Sequence, residues 1–250
     1  MVKSLSISFP AYNEEANIEK SVREAIRVAS ALTDDFEVVV VDDGSKDKTG
    51  EIIDRLAAED SRVRVIHHNP NQGYGAAVWD GLKAGTKDLI FFTDADLQFD
   101  LSEIGKLVEA IGALEVQPQR DPEVEPRIDA VLGYRNPRVD PFMRKLNAFG
   151  WKMLNRITFG LKVRDVDCAF KLFRREVFEK VQPTSRGAMF SAELLIRMQR
   201  AGLKWAEVPV KHLPRLAGSP TGAKLSVILR AFKEYAMVWR ELRKENVQSA

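Results

Sequence analysis

The sequence predicts an α/β fold with a doubly wound, mostly parallel sheet and helices on both faces. Short apolar runs alternate with amphipathic stretches over the first hundred residues, a rhythm typical of strand–helix–strand units. The run at 89–92 has no polar residue at alternate positions, which indicates a strand that is buried on both faces. The chain has 250 residues, of which 45% are hydrophobic, and this is enough apolar material for a sizeable core.

Four strands and three helices are predicted in the first hundred residues. The first strand covers 5–9 and ends before Pro10, which has no amide hydrogen to give to a sheet. Helices are predicted where apolar residues recur every three or four positions. The remaining strands cover 36–41, 63–67 and 89–92, and the helices include 18–26, 52–56 and 76–84.

The second half of the chain continues this pattern less regularly. Residues 112–127 carry many charges and show no period, so we interpret them as an exposed loop. Two helices, at 142–157 and 225–242, combine an apolar stripe with Lys and Arg residues. Such helices either pack as ordinary surface helices or lie on a membrane surface. The other predicted elements are strands at 128–132, 170–173 and 205–210 and a helix at 192–201.

The composition of the chain excludes several classes of protein. Lys and Arg number 38 against 36 Asp and Glu, so the formal net charge of +2 gives no reason to expect a nucleic-acid partner. The single cysteine, Cys168, excludes an internal disulfide framework. The sequence has no apolar segment of the roughly eighteen residues that a membrane span requires, and its N-terminus does not resemble a signal peptide. We therefore expect a cytoplasmic protein in which any membrane contact is peripheral.

Two carboxylates stand directly after the predicted strand at 89–92. Asp94 and Asp96 are two residues apart, and their mutual repulsion favours a cation between them. Mg²⁺ or Mn²⁺ suits such a pair, and Gln98 offers a further oxygen ligand. Taken alone, the pair is equally consistent with a polar turn that caps the next helix.

Other polar motifs occupy equivalent positions at strand ends. Asp42 and Asp43 follow the strand at 36–41, and the Pro-Ala-Tyr-Asn motif at 10–13 follows the first strand. Ligands of doubly wound sheets bind beyond the carboxyl ends of the strands, so we expect these groups to converge in one crevice. A phosphoryl-accepting receiver domain has similar acidic groups, but it would need only about half of this chain. A dinucleotide-binding dehydrogenase is a poorer match, because no G-x-G-x-x-G follows the first strand.

Four segments together carry a family resemblance. They are SFPAYNE at 8–14, VVDDGS at 40–45, NQG at 71–73 and TDADLQ at 93–98. In order and spacing they closely resemble the family 2 glycosyltransferases, which have the Rossmann-like GT-A fold. Within that family, residues 3–221 look most like the dolichyl-phosphate mannose synthase group of polyprenyl-phosphate glycosyltransferases. The resemblance implies a GT-A domain at 1–221, with a nucleotide-binding half at 1–111 and an acceptor half at 128–221, and a C-terminal amphipathic helix and tail at 222–250.

The resemblance also implies a donor site. Asp94, Asp96 and Gln98 would carry Mg²⁺ or Mn²⁺ on the diphosphate of a nucleotide sugar. The implied reaction is the inverting transfer of a hexose to a polyprenyl or dolichyl phosphate, with mannose from GDP-mannose as the first expectation and glucose from UDP-glucose as the next. The implied nucleotide-sugar site consists of Pro10, Tyr12, Glu14, Asp42, Asp43, Gly73, Asp94, Ala95 and Asp96.

The acceptor half matches the family more loosely. Arg135, Arg144 and Arg215 would hold the acceptor phosphate, since guanidinium groups suit phosphate oxygens. Asp165 opens a segment that resembles the family's Asp-x-x-x-Gly-Phe-Lys, but Ala169 replaces the glycine. This departure leaves the acceptor open between a lipid phosphate and a soluble hydroxyl compound.

A hydroxyl acceptor would require a carboxylate base, for which Glu193 or Asp165 would serve. A nucleotide-binding module without transfer activity is the remaining alternative. A lipid acceptor implies contact with a membrane surface or a membrane-protein partner, on the cytoplasmic face. The implied catalytic residues are Asp94, Asp96, Arg135, Asp165, Glu193 and Arg215.

Overall fold

The structure, a computed structural model, describes residues 2–112, 127–139, 142–215 and 225–248. Its centre is one seven-stranded sheet with the strand order β3-β2-β1-β4-β6-β5-β7. The strands are β1 (Leu5–Ala11), β2 (Phe36–Asp42), β3 (Val63–His67), β4 (Leu89–Thr93), β5 (Ala130–Arg135), β6 (Phe170–Arg174) and β7 (Trp205–Val210).

The sheet is mostly parallel, as predicted. β1 pairs in parallel with β2 and with β4, β2 pairs in parallel with β3, and β5 pairs in parallel with β7. β6 runs antiparallel to both β4 and β5. The α/β fold class is therefore confirmed, while the reversed direction of β6 is a feature that apolar patterning does not reveal.

Eight helices are described, and they cover both faces of the sheet. α1 shows how they pack: Ile18, Val22, Ala25 and Ala29 recur at helical spacing and are all buried. The helices are α1 (Ile18–Leu32), α2 (Thr49–Glu59), α3 (Tyr74–Ala84), α4 (Ile104–Ala110), α5 (Phe142–Phe159), α6 (Val177–Lys180), α7 (Phe190–Arg200) and α8 (Leu225–Gln248).

Two apolar cores lie on opposite faces of the sheet. In β4, Phe91 belongs to the core that includes α1, α2 and α4, whereas Ile90 and Phe92 belong to the core that includes α3, α6, α7 and α8. This division follows from the strand geometry, in which successive side chains point to opposite faces. Each fully buried side chain of this size contributes about 1.5–3 kcal/mol to folding.

The observed elements differ from the predicted ones at Pro10 and in three short helical elements. Pro10 lies inside β1, opposite Val41 of β2, because the β1–β4 pairing has already ended at Ser8 and the strand has a free edge there. α4, the 3₁₀ turn Leu101–Glu103 before it, and α6 were not predicted, since these elements are too short for a clear period. Most of the predicted loop at 112–127 lies outside the described residues.

α5 and α8 pack against each other through aromatic side chains. Trp151 of α5 contacts Phe232 and Tyr235 of α8 edge-on, and Phe159 also contacts Tyr235. Val238 and Leu242 bury α8 in the second core. Several large apolar side chains on these two helices nevertheless have more than a third of their surface exposed, including Phe232, which contacts Trp151. They are Leu146, Phe149, Ile157, Leu229, Phe232 and Met237. No described helix is long and apolar enough to span a membrane.

Candidate active site

A sharp turn after β4 places two carboxylates at the carboxyl end of the sheet. Asp96 is buried and accepts a hydrogen bond from the Gln98 amide at 3.1 Å, while Asp94 is half-buried. Between them, the Ala95 carbonyl accepts a bond from the Ser21 hydroxyl of α1 at 2.8 Å. Leu97 adopts a left-handed backbone conformation (φ 58°), which costs a bulky residue about 1–3 kcal/mol. The turn is therefore fixed by contacts outside it.

The two carboxylates interact electrostatically. Enclosure by protein and the charge of Asp96 raise the pKa of Asp94 to about 7. The Tyr74 hydroxyl donates to Asp94 at 3.0 Å, and its own pKa is raised well above its usual value by enclosure and by the Asp94 charge. A nearby cation would stabilise the ionised form of both carboxylates.

Arg215 supplies one such cation from the far end of the chain. Its Nη2 contacts Asp96 Oδ2, and its Nη1 lies 3.7 Å from Glu14 Oε1. Burial raises the pKa of Glu14, although Asn17 and Arg215 oppose this effect. The predicted residues Glu14, Asp96 and Arg215 therefore do come together.

Asp43 organises the loop that precedes α3. Its two carboxylate oxygens accept hydrogen bonds from the amides of Gln72 (2.8 Å) and Gly73 (2.9 Å). His68 is buried and lies with Nδ1 2.8 Å from Asp43 Oδ1 and Nε2 3.0 Å from Asp80. Gly73 has a φ of 104°, where any side chain would also collide with the Arg186 carbonyl. His68 is not among the predicted site residues, because a histidine after a strand has no distinctive sequence pattern.

Asp42 performs a similar role beside it. It accepts a hydrogen bond from the Ser45 amide at 2.9 Å, and His67 Nδ1 lies 3.2 Å from its other oxygen. The Ser45 hydroxyl in turn accepts a bond from the Asn13 amide at 3.0 Å. These bonds join the loops after β1 and β2. Tyr12 directly precedes Asn13 in the first of these loops, with 40% of its surface exposed. The two predicted motifs thus share one edge of the sheet.

Arg135 and Asp165 form a buried bidentate pair. Arg135 donates from Nε and Nη2 to the two oxygens of Asp165 at 2.7 and 2.8 Å. Burial alone would raise the pKa of Asp165, but the hydrogen bonds and charge of Arg135 outweigh it and hold that pKa below its usual value. Asp165 is therefore a stably ionised partner of Arg135 and a poor proton acceptor.

Glu193 has a different environment from the one expected of a base. It is fully buried on α7 and accepts bonds from the amides of Thr184 (2.9 Å) and Ser185 (2.8 Å) and from Arg197 Nε (2.7 Å). These bonds outweigh burial and lower its pKa. These contacts hold the 184–185 loop, and the role of Glu193 as a base stays a prediction.

Gln98 and Arg144 are two further predicted site residues. Gln98 donates from Nε2 to the Leu213 carbonyl at 3.3 Å, and the same nitrogen lies 3.4 Å from His212 Nε2. The Arg144 side chain lies outside what the structure describes, although its backbone belongs to α5. Within the described ranges, no group of three or more His, Cys, Asp or Glu side chains could hold a metal ion. A metal at Asp94 and Asp96 would therefore need ligands from substrate or water.

Comparison with known proteins identifies the family. The family model described as glycosyl transferase family 2 matches residues 6–182, which is more than half of the chain. The chain belongs to glycosyl transferase family 2. Its mostly parallel sheet with an antiparallel β6 is the GT-A fold of this family.

One curated relative is the glycosyltransferase AglD of Haloferax volcanii. It is 35% identical over 219 residues, which cover 84% of this chain and 33% of that protein. The chain thus spans about a third of the length of this family 2 relative.

Solved structures of glucosyl-3-phosphoglycerate synthase from Mycobacterium tuberculosis are also similar. The complex with Mn²⁺, UDP-glucose and phosphoglyceric acid has a TM-score of 0.64 at 25% identity, covering 92% of this chain and 79% of that one. The complex with phosphoglyceric acid has a TM-score of 0.64 at 26% identity, with the same coverage. The fold is therefore shared over 92% of this chain.

Proposed function

We propose that this family 2 chain transfers a hexose, with inversion, from a nucleotide diphosphate sugar to a polyprenyl phosphate. The observation that carries the proposal is the convergence of Asp94, Asp96, Glu14 and Arg215 beside the Asp42–Asp43 edge of the sheet. A donor diphosphate needs positive charge at such a site, and its nucleoside needs the neighbouring loops. Tyr12, Gly73 and Ala95 belong to those loops, and Pro10 lies near the carboxyl end of β1. All four are proposed donor contacts.

The donor set at the end of β4 fits Mg²⁺ or Mn²⁺. Both ions prefer hard oxygen ligands, take one or two carboxylates, and leave positions for phosphate and water. The pKa of Asp94 is raised by its enclosure and by the charge of Asp96, even though Arg215 contacts Asp96, and this supports cation binding at the pair. Asp94 and Asp96 would hold the metal, with Gln98 as a further proposed oxygen ligand. When bound, the metal would neutralise the charge that develops on the departing nucleoside diphosphate.

The donor is proposed to be GDP-mannose first and UDP-glucose second. The first choice follows from the resemblance to dolichyl-phosphate mannose synthases, and the second gains support from the synthase structure that contains UDP-glucose and Mn²⁺. Both donors present the same diphosphate to Asp94 and Asp96. The nucleoside contacts near Asp42 and Asp43 would decide between them.

A phosphate acceptor suits the charges of this site. A phosphate monoester has a second pKa of about 6, so it is already a nucleophilic anion near neutral pH and needs no general base. This agrees with Glu193 and Asp165, both of which are engaged in buried ion pairs. Arg215 lies beside Asp96 and is the proposed phosphate-binding arginine. Arg135 and Arg144 remain proposed contacts, although two N–H groups of Arg135 already bind Asp165.

A lipid acceptor requires access to a membrane. The exposed apolar side chains of α5 and α8 lie among the cations Lys145, Arg156, Arg230 and Lys233, which is the composition of an interfacial surface. We include in the proposal peripheral binding at the cytoplasmic face, through this surface or through a membrane-protein partner.

A transfer assay tests the proposal. Purified protein with Mn²⁺ is incubated with GDP-mannose or UDP-glucose, and with undecaprenyl phosphate or 3-phosphoglycerate, and products are identified by mass spectrometry. A glycosyl phospholipid product is expected. A second candidate function, transfer to a soluble hydroxyl acceptor, is favoured by the phosphoglyceric acid in the similar synthase. Product with 3-phosphoglycerate alone would establish it, and no product with any pair would refute the enzyme proposal.

A further inference from the structure

A second pocket lies between the loop at 184–186 and α8. It is open and has a volume of about 390 Å³, which falls in the usual range for small-ligand sites. Arg186, Arg230 and Lys233 line it together with Glu234, and Met237 adds an apolar wall. None of the residues assigned above to the donor or to the metal lines this pocket.

The one carboxylate of the pocket is directed at backbone amides. Glu234 is buried, accepts a bond from Arg230 Nε at 3.2 Å, and lies 3.4 Å from the Met189 amide at the start of α7. A Cβ atom on Gly187 would lie only 2.7 Å from its oxygens, so the carboxylate rests against this backbone. The N-terminal end of a helix stabilises such a charge. The negative charge of Glu234 is therefore balanced by the N-terminal end of α7 and by Arg230.

Two cations are left facing the pocket. Arg186 donates to the neutral Gln72 side chain at 2.8 Å, and Lys233 makes no hydrogen bond within the part of the chain that the structure describes. The Ser185 hydroxyl is buried and lies near enough to Glu193 to help lower the pKa of that group, so it belongs to the support of the loop. An arginine and a lysine that line one pocket are suited to an oxyanion.

We propose that this pocket binds the phosphate head of a lipid phosphomonoester. Arginine and lysine together suit a dianionic phosphate, and Arg230 keeps part of its guanidinium toward the pocket. Met237 and Leu229 are exposed apolar residues of the same helix, at 50% and 61%, and give the hydrocarbon a surface to follow. The assignment of this lipid as the acceptor rests on the proposed function, whereas binding of the phosphomonoester does not.

The pocket is connected to the metal-binding turn through the 72–74 segment. Arg186 holds Gln72, and Arg230 Nη2 lies 3.3 Å from where a Cβ atom on Gly73 would be. The next residue, Tyr74, bonds Asp94. A phosphate held in the pocket is thus adjacent to the loop that positions Asp94, and the pocket is a docking position on the approach to the reaction site.

Titration calorimetry with the full chain tests this site. The probe is farnesyl phosphate below its micellar concentration, with inorganic phosphate and farnesol as separate arms. In Lys233→Glu, and independently in Arg230→Gln/Lys233→Gln, we expect farnesyl phosphate affinity to fall about tenfold or more. The control Arg240→Gln/Lys244→Gln changes two exposed cations of the same helix and should stay within about twofold of wild type. Melting temperatures verify that each variant is folded.

Comparing farnesyl phosphate, inorganic phosphate and farnesol distinguishes the possible results of this experiment. Equal affinity of folded wild type and both pocket variants for farnesyl phosphate would overturn the proposal. Inorganic phosphate binding as tightly as farnesyl phosphate would overturn the lipid assignment and leave a free-phosphate site. Pocket-dependent binding without sugar transfer to farnesyl phosphate would count against the proposed function alone, while transfer with unchanged KM in the pocket variants would count against the pocket alone.

Discussion

Arg215 contacts Asp96 with one guanidinium nitrogen and approaches Glu14 with the other. The three residues come from the loop after β1, the turn after β4 and the segment after β7. Asp96 therefore serves two interactions, since its carboxylate anchors Arg215 and faces the same crevice as Asp94. A change at Asp96 alters both.

Asp96→Asn should nearly abolish sugar transfer. A bound metal supplies several kcal/mol of charge stabilisation, so kcat/KM should fall about 100-fold or more, and Mn²⁺ affinity should fall with it. Steady-state kinetics and calorimetry measure the two effects. Asp34→Asn changes an exposed aspartate just before the amino end of β2, at the opposite edge of the sheet from the crevice, and this control should behave as wild type. Full activity in Asp96→Asn would contradict the metal assignment.

Metal affinity should depend on pH through Asp94. Its pKa of about 7 means that the carboxylate is ionised above pH 7 and protonated below it, and a metal binds only the ionised form. Mn²⁺ affinity should thus fall about tenfold for each pH unit below 7 and level off above it. Calorimetry at pH 6, 7 and 8 measures this.

Tyr74→Phe provides a matched test of the same pKa. The Tyr74 hydroxyl lowers the pKa of Asp94 by donating to it, so its removal should move the midpoint of metal binding to higher pH. An unchanged or lower midpoint would show that another group controls the titration.

His68→Ala should weaken donor binding more than it slows transfer. The change frees Asp43, whose carboxylate positions the amides of Gln72 and Gly73, and supporting contacts of this kind are worth about 10- to 100-fold. We expect KM for the nucleotide sugar to rise within that range while kcat changes little. His68→Gln, which can still donate to Asp43, should recover part of the affinity. A loss confined to kcat would argue against a positioning role.

Glu193→Gln should destabilise the fold and spare the chemistry. Breaking a buried ion pair costs about 3 kcal/mol, or roughly 6–12 °C in melting temperature for a chain of this size. The pKa of Glu193 is lowered from its ordinary value of 4.5, so its contribution is complete above that value and is lost as pH falls through the lower folded-state pKa. The stability difference from wild type should shrink in that acidic range.

Glu179→Gln, at an exposed position of α6, is the stability control. Activity measured below the melting transition distinguishes a structural residue from a base. If folded Glu193→Gln lost transfer activity while keeping its melting temperature, the structural assignment would be wrong.

Phe149→Ser/Ile157→Ser should reduce binding to anionic vesicles without changing stability. These side chains are 58% and 77% exposed, so removing them from the lipid-facing surface costs membrane affinity but little folding energy. Vesicle flotation at low and high salt measures binding, which should weaken as salt rises. The control Leu242→Ala removes a buried side chain and should cost about 2–5 kcal/mol of stability. Unchanged flotation in the double variant would assign α5 a purely structural role.

Local sequence pattern predicted those parts of the structure that local physics determines. β2 is apolar from Val38 to Val41 and β4 from Leu89 to Phe92 because both faces of each strand are covered, and the carboxylates at their ends follow from the polarity of parallel strands. The direction of β6 depends on how distant strands meet, which no period encodes. His68 was missed for the same reason, since its significance lies in Asp43 and Asp80, which are distant in sequence. The bonds from the Thr184 and Ser185 amides to the Glu193 carboxylate also depend on how the chain folds, so sequence alone could not distinguish a base from a structural residue at this position.

The packing of α8 has a practical consequence for where this protein can be cut. Val238 and Leu242 fill the core on the α3 side of the sheet, and Arg197 of α7 bridges Glu193 to Glu241 of α8. A fragment that stops at the boundary suggested by the sequence, near 221, would leave that core open to water and Arg197 short of a counter-charge. The last helix forms part of the wall of the catalytic domain, and an expression fragment for crystallisation should extend through Gln248.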